Sequence, residues 1–119
     1  MNIEELREYC LGKASAEESF PFGEDTLVFK VGGKIFLLAS LDAAPLQFNA
    51  KCEPLKAIEL REKHSSVLPG YHMNKAHWNT IVCDGSVVKK TILNWIDDSY
   101  NLVLNSLPKK IKETVLKGP

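Results

Sequence analysis

Two apolar runs, Thr26–Val31 and Lys34–Ser40, stand on either side of Gly32-Gly33. A two-residue glycine turn tolerates the positive φ of a type I′ hairpin, and the flanking residues are β-branched or aromatic at strand spacing. The pair therefore has to be antiparallel. With Gly32-Gly33 as the loop, Phe29 is expected opposite Phe36 and Leu27 opposite Leu38. Leu27, Phe29, Val31, Phe36 and Leu38 then share one face, which becomes the core face. The other face carries Val28, Ile35 and Leu37 beside Lys30. It is only half polar, so some other part of the chain is expected to cover part of it.

Helical and strand periods fill in the rest. Ile3, Leu6 and Cys10 recur at i, i+3 and i+7, which predicts a short amphipathic helix over residues 3–11, stopped by Gly12. Residues 15–22 predict a short strand ending at Pro21. Leu46, Phe48 and Ala50 alternate with Gln47, Asn49 and Lys51, the pattern of a half-buried strand. Pro54 suits the first turn of a helix running to His64. Residues 65–73 contain Pro69-Gly70 and read as loop, and residues 78–83 as a strand closed by Asp84-Gly85. Ile92, Ile96, Tyr100, Val103 and Leu107 form the stripe of a long helix over residues 88–106, and Pro108 opens a last helix through Leu116. Strands flanked by helices in this order indicate an α+β fold, with helices packed on a mainly antiparallel sheet, in a single domain spanning residues 1–119. The core is expected to contain Leu27, Phe29, Phe36, Leu38, Phe48, Ile96 and Tyr100.

Composition excludes several classes. With 45% hydrophobic residues and 15 Lys+Arg against 15 Asp+Glu, the chain is neither disordered nor strongly basic. No apolar run approaches the roughly 20 residues of a membrane-spanning helix. The acidic opening Met1-Asn2-Ile3-Glu4-Glu5 is unlike a secretory leader. Cys10, Cys52 and Cys83 are odd in number and form no CxxC pair, so free thiols in a reducing cytoplasm are expected. His64, His72 and His77 match no metal-ligand spacing, so neither a metal nor a cofactor is expected. No phosphate-binding glycine loop, nucleophile elbow or Cys-His motif points to an enzyme.

Neutrality hides an asymmetry. Residues 1–25 carry seven acids and two bases, leaving thirteen bases against eight acids in residues 26–119. One surface can therefore attract a polyanion.

The densest group of unusual residues is Pro69-Gly70-Tyr71-His72-Met73-Asn74-Lys75-Ala76-His77-Trp78. Asp84-Gly85, Asp97-x-Ser99-Tyr100, Leu107-Pro108, Tyr9-Cys10, Gly33-Lys34-x-Phe36 and Lys51-Cys52 accompany it. On these motifs nearly the whole chain resembles the MmcQ/YjbR family. The resemblance implies a CyaY-like (frataxin-like) α+β fold and a double-wing DNA-binding role.

The residues themselves fit nucleic acid in a specific way. Lys75 offers a cation to phosphate, Asn74 and His77 offer hydrogen-bonding edges, and Trp78 offers a stacking face. Lys51 and the dilysines Lys89-Lys90 and Lys109-Lys110, the latter at helix starts, add phosphate contacts. Each has a structural alternative: Trp78 as a core anchor, Asn74 and His72 as loop ties, the lysines as solvated stems. Two other functions remain open. One is a protein-interaction module on the half-apolar sheet face. The other is frataxin-like metal handling on the acids Glu4, Glu5, Glu8, Glu17 and Glu18.

Overall fold

The computed structural model describes residues 1–117. In chain order they form α1 (Ile3–Leu11), β1 (Glu17–Ser19), β2 (Thr26–Val31), β3 (Lys34–Ser40), β4 (Gln47–Lys51), α2 (Pro54–Lys63), β5 (Val67–Pro69), β6 (Trp78–Val82), α3 (Lys89–Ser106) and α4 (Lys109–Lys117). The strands make one six-stranded sheet in the order β1-β2-β3-β4-β6-β5, with every neighbour antiparallel. This is the α+β architecture that the patterning indicates.

Local chemistry sets the element ends. Asn2 and Glu5 close a capping box on α1: the Asn2 side chain accepts from Glu5 N at 2.8 Å, and the Glu5 carboxylate from Asn2 N at 3.3 Å. Glu53 caps α2 by accepting from Leu55 N and Lys56 N, and Pro54 follows it at N1. Gly32 serves two purposes. Its φ is +56°, and a Cβ there would stand 2.6 Å from Leu107 Cδ1 and 2.9 Å from Ile111 Cγ2. The hairpin tip is thus tucked under the α3–α4 corner.

One face of the sheet buries Leu27, Phe29, Val31, Phe36, Phe48, Ala50 and Ile81 against Leu6 and Cys10 of α1 and Ile92, Ile96, Tyr100 and Val103 of α3. Six of the seven core residues read from the sequence lie in this cluster. The seventh, Leu38, is buried but on the opposite face, with Val28 and Trp78, where Ile35 and Met73 pack against it.

The hairpin register explains that difference. Val31 pairs with Lys34 and Lys30 with Ile35, as the two-residue loop requires, but Phe29 then pairs with Leu37 and Val28 with Leu38. An extra residue, Phe36, bulges from β3, and beyond it every partner is displaced by one. Phe29 therefore does not face Phe36 across the ladder, nor Leu27 face Leu38. The Phe29 and Phe36 rings still lie 6.3 Å apart in the core. Leu37 turns inward and Leu38 outward.

The bulge leaves a gap that α3 fills. After Leu37↔Ala50, the next pair between β3 and β4 would be Phe36 and Lys51. The fully buried Ser99 hydroxyl stands there instead, donating to Phe36 O and accepting from Lys51 N at 2.8 Å. A second difference from the sequence reading is β5, which lies in the stretch read as loop. It is three residues long, two of them exposed, and its proline sits on the sheet edge where a missing N–H does no harm.

Candidate nucleic-acid interface

The loop of residues 70–77 joins β5 to β6 and is held mostly by its own backbone. Gly70 N donates to Trp78 O at 2.9 Å, and Trp78 N to Asn74 O at 2.9 Å. The Asn74 side chain accepts from Ala76 N at 2.9 Å, an Asx turn, so its carboxamide oxygen is engaged within the loop. A Cβ on Gly70 would meet Trp78 Cβ and O at 2.8 Å, which explains the glycine. Trp78 is 9% exposed, packed on Val28 and Leu38, and its ring anchors the loop to the sheet. That burial leaves little of the open face that stacking on a base requires.

Lys75 and His77 are both exposed. Lys75 Nζ donates to Gly70 O at 3.3 Å, and Lys75 O accepts from Arg61 Nη1 at 2.9 Å. Arg61, from α2, thus brings a further cation to the loop. His77 O accepts from Cys52 N at 2.8 Å, next to Lys51, and Lys51 stands opposite Trp78 in the β4–β6 ladder.

Register sorts the charges along the strand axis. The β2–β3 hairpin, the end of β4 and the start of β6 lie at one end of the sheet. That end carries Lys30, Lys34, Lys51, Lys75 and His77, together with two carboxylates, Glu17 opposite Lys30 in the β1–β2 ladder and Glu53 two residues beyond Lys51. Lys34 Nζ reaches Ser106 O at 3.5 Å, so Lys109 and Lys110, three and four residues further on, belong to the same end. The opposite end holds the β1–β2, β3–β4 and post-β6 turns with Glu24, Asp25, Asp42 and Asp84. Lys89 and Lys90 open α3 at that acidic end, and Lys89 is ion-paired with Glu5. The structure therefore brings Lys51, Asn74, Lys75, His77 and Trp78 together, sets Lys109 and Lys110 at the same end, and sets Lys89 and Lys90 apart.

The other motif residues have structural work. Tyr9 Oη donates to Asp97 at 2.7 Å, Lys13 pairs with the same carboxylate, and Tyr100 Oη donates to Ala14 O at 2.6 Å. These bonds clamp α1 onto α3. The hydrogen bond to Asp97 raises the Tyr9 pKa, with burial adding to it. Burial pushes the Cys10 thiol up to about 12 and raises Cys52 and Cys83 as well, the opposite of an activated nucleophile. Within the acidic set, Glu5 pairs with Lys89 and Glu18 with Arg7. Among the described residues no three His, Cys, Asp or Glu side chains converge as a metal site, and no helix is long and apolar enough to cross a membrane.

Sequence reasoning passed over Tyr71, Asn49 and Thr80. Tyr71 N donates to Thr80 Oγ1 at 3.0 Å, the Thr80 hydroxyl donates to Asn49 Oδ1, and Asn49 Nδ2 donates to Tyr71 O at 3.1 Å. Both backbone polar groups of Tyr71 are thus gripped by one cross-strand pair. The next residue, His72, has φ +59°, and the two rings lie 4.0 Å apart. The only available signal was an aromatic residue inside the unusual string. The grip itself needs Asn49 and Thr80 paired across β4 and β6.

The YjbR family model matches residues 11–102. The Escherichia coli (strain K12) protein YjbR is 33% identical over 117 residues, covering 98% of this chain and 99% of its own. YbdF of Escherichia coli O157:H7 is 39% identical over 103 residues, 86% of this chain and 84% of its own. Among solved structures, a Deinococcus radiodurans protein with the family-model domain DUF419 superposes with a TM-score of 0.91 at 35% identity, over 99% of this chain and 89% of that one. A Pseudomonas syringae protein superposes with a TM-score of 0.74 at 26% identity, over 87% of this chain and 99% of that one.

Proposed function

Since the chain belongs to the YjbR family, we propose that it is a non-enzymatic nucleic-acid-binding protein, with DNA as the first candidate, that grips phosphates at the hairpin end of its sheet. The observation that carries this reading is the segregation of charge. Lys30, Lys34, Lys51, Lys75, Lys109 and Lys110 gather at one end and outnumber Glu17 and Glu53 beside them, while the turn carboxylates Glu24, Asp25, Asp42 and Asp84 lie at the other. A neutral protein built this way is a dipole, and its basic end can approach a polyanion while its acidic end faces away. In this footprint Lys51 and Lys75 take phosphates, His77 donates beside them, and Asn74 keeps an amide N–H group for a base edge. Lys89 and Lys90, at the acidic end, lie outside it.

Titration of labelled duplex and single-stranded oligonucleotides at low and moderate salt tests the reading. Each phosphate contact should contribute about −0.9 to the slope of log K against log salt on duplex, and Lys75→Glu should lower that slope by about 1. A salt-independent affinity, or none at low salt, would refute it.

A protein-interaction role cannot use Val28 and Leu37, which are fully buried, Leu37 in the main core and Val28 in the cluster with Leu38 and Trp78, but it has other support, since Phe20, Phe22, Leu68 and Tyr71 are all exposed. A partner held by these apolar groups would bind with little salt dependence.

A further inference from the structure

The sheet face away from α1 and α3 carries a cleft of ≈ 390 Å³, a size within the range of small-molecule sites. Its floor is Leu38 with the hydroxyls of Thr26 and Ser40, and its walls are Phe22 on one side and Tyr71, His72 and Met73 on the other. We infer that this cleft binds one neutral planar heteroaromatic ring of the nucleobase class, held against the Tyr71 or Phe22 ring.

Three observations carry the inference. First, Tyr71 and Phe22 are 70% and 66% exposed. Large rings left in water on both sides of a cleft are suited to a ring that stacks on them. Second, the Tyr71 wall is pre-organised. Asn49 and Thr80 fix its backbone at both polar groups, and His72 is kept in a left-handed conformation that a residue with a Cβ avoids. A wall set in advance loses little freedom on binding. Third, the lining contains no Asp, Glu, Lys or Arg, and its one ionisable side chain besides Tyr71, His72, lies with its ring against Tyr71, so no fixed charge there selects an ionic ligand. The Thr26 and Ser40 hydroxyls both donate and accept, which suits the mixed edge of a base. Carboxylates Glu24, Asp25 and Asp42 stand in the turns at the Thr26–Ser40 end, so any phosphate must leave towards Lys51 and Lys75.

The choice of a base over other neutral rings rests on the nucleic-acid reading above, whereas the ring site itself does not. The ring can come from a single strand or from a free nucleoside, and the test has an arm for each. In the first arm, an oligothymidine is compared with an abasic strand of equal length and charge. The base-bearing strand should bind about tenfold or more tightly. Tyr71→Ala and Phe22→Ala, both at exposed positions, should remove that preference while leaving the salt slope intact. Lys75→Glu should weaken both strands alike. Equal binding of the two strands, unchanged in Tyr71→Ala, would overturn a strand base as the occupant and leave the phosphate reading standing. In the second arm, thymidine and adenosine are titrated while the NMR signals of Leu38, His72 and Met73 are followed. Shifts confined to the cleft support the ring site even if no strand binds, a result that would remove only the phosphate reading. If no strand prefers its bases and no nucleoside shifts these signals, the inference fails.

Discussion

Ser99→Ala isolates the unusual contact between β3, β4 and α3. The substitution removes one oxygen and leaves no cavity of consequence. It does strip Phe36 O of its donor and Lys51 N of its acceptor, in a place where Ser99 is fully buried. Each orphaned group costs about 1–3 kcal/mol. Alanine's better helix propensity returns about 0.5 kcal/mol. The two orphans face each other, and partial closure of the gap would recover some of the loss, so a net destabilisation of about 2–3 kcal/mol is expected. For a chain of this length that lowers Tm by about 6–15 °C. Urea unfolding is the assay, with Cm falling at constant m. Ser106→Ala is the control, because the Ser106 hydroxyl only donates to the Val103 carbonyl at 2.7 Å in the same helix. It should change stability by less than about 0.5 kcal/mol. If Ser99→Ala were equally silent, the strands would be closing directly on each other, and the hydroxyl would not be what holds the bulge open.

Phe36→Ala, at a fully buried ring that meets Tyr100 edge-on at 5.3 Å, should cost about 3–5 kcal/mol by urea unfolding; a loss below about 1 kcal/mol would place it outside the core. Thiol labelling of the native protein at mildly alkaline pH should modify half-buried Cys83 well before Cys10, whose pKa is pushed up to about 12; rapid native-state labelling of Cys10 would contradict its burial. Stability should also fall in acid. The Arg7 hydrogen bond holds Glu18 below its ordinary value of 4.5, and the Lys89 hydrogen bond does the same for Glu5. A carboxyl with a depressed folded-state pKa contributes its stabilisation above 4.5 and loses it as pH falls through the lower folded value. Cm measured across that window should decline, by less in Arg7→Ala, and a flat profile would show that these exposed pairs contribute nothing.

Local signals carried the element plan. Glycines at 32 and 33 set the hairpin, Pro54 and Pro108 opened their helices, and the period along α3 marked the buried stripe of Ile92, Ile96, Tyr100 and Val103. Each depends on a few neighbouring residues, through φ preferences, a missing N–H or a helical repeat. The unusual string around Lys75 was also visible as composition. Where its residues point was not. The Phe36 bulge is bridged by a hydroxyl 63 positions away in α3, and the register shift there decides which of Leu37 and Leu38 enters the core. Strand β5 gains its identity only from pairing with β6 at the sheet edge. The separation of Lys51 and Lys75 from Lys89, the burial of Trp78, and the grip of Asn49 and Thr80 on Tyr71 all follow from the order β3-β4-β6. Those outcomes were decided by long-range strand pairing, because register and sheet order join residues whose local sequence contains no record of one another.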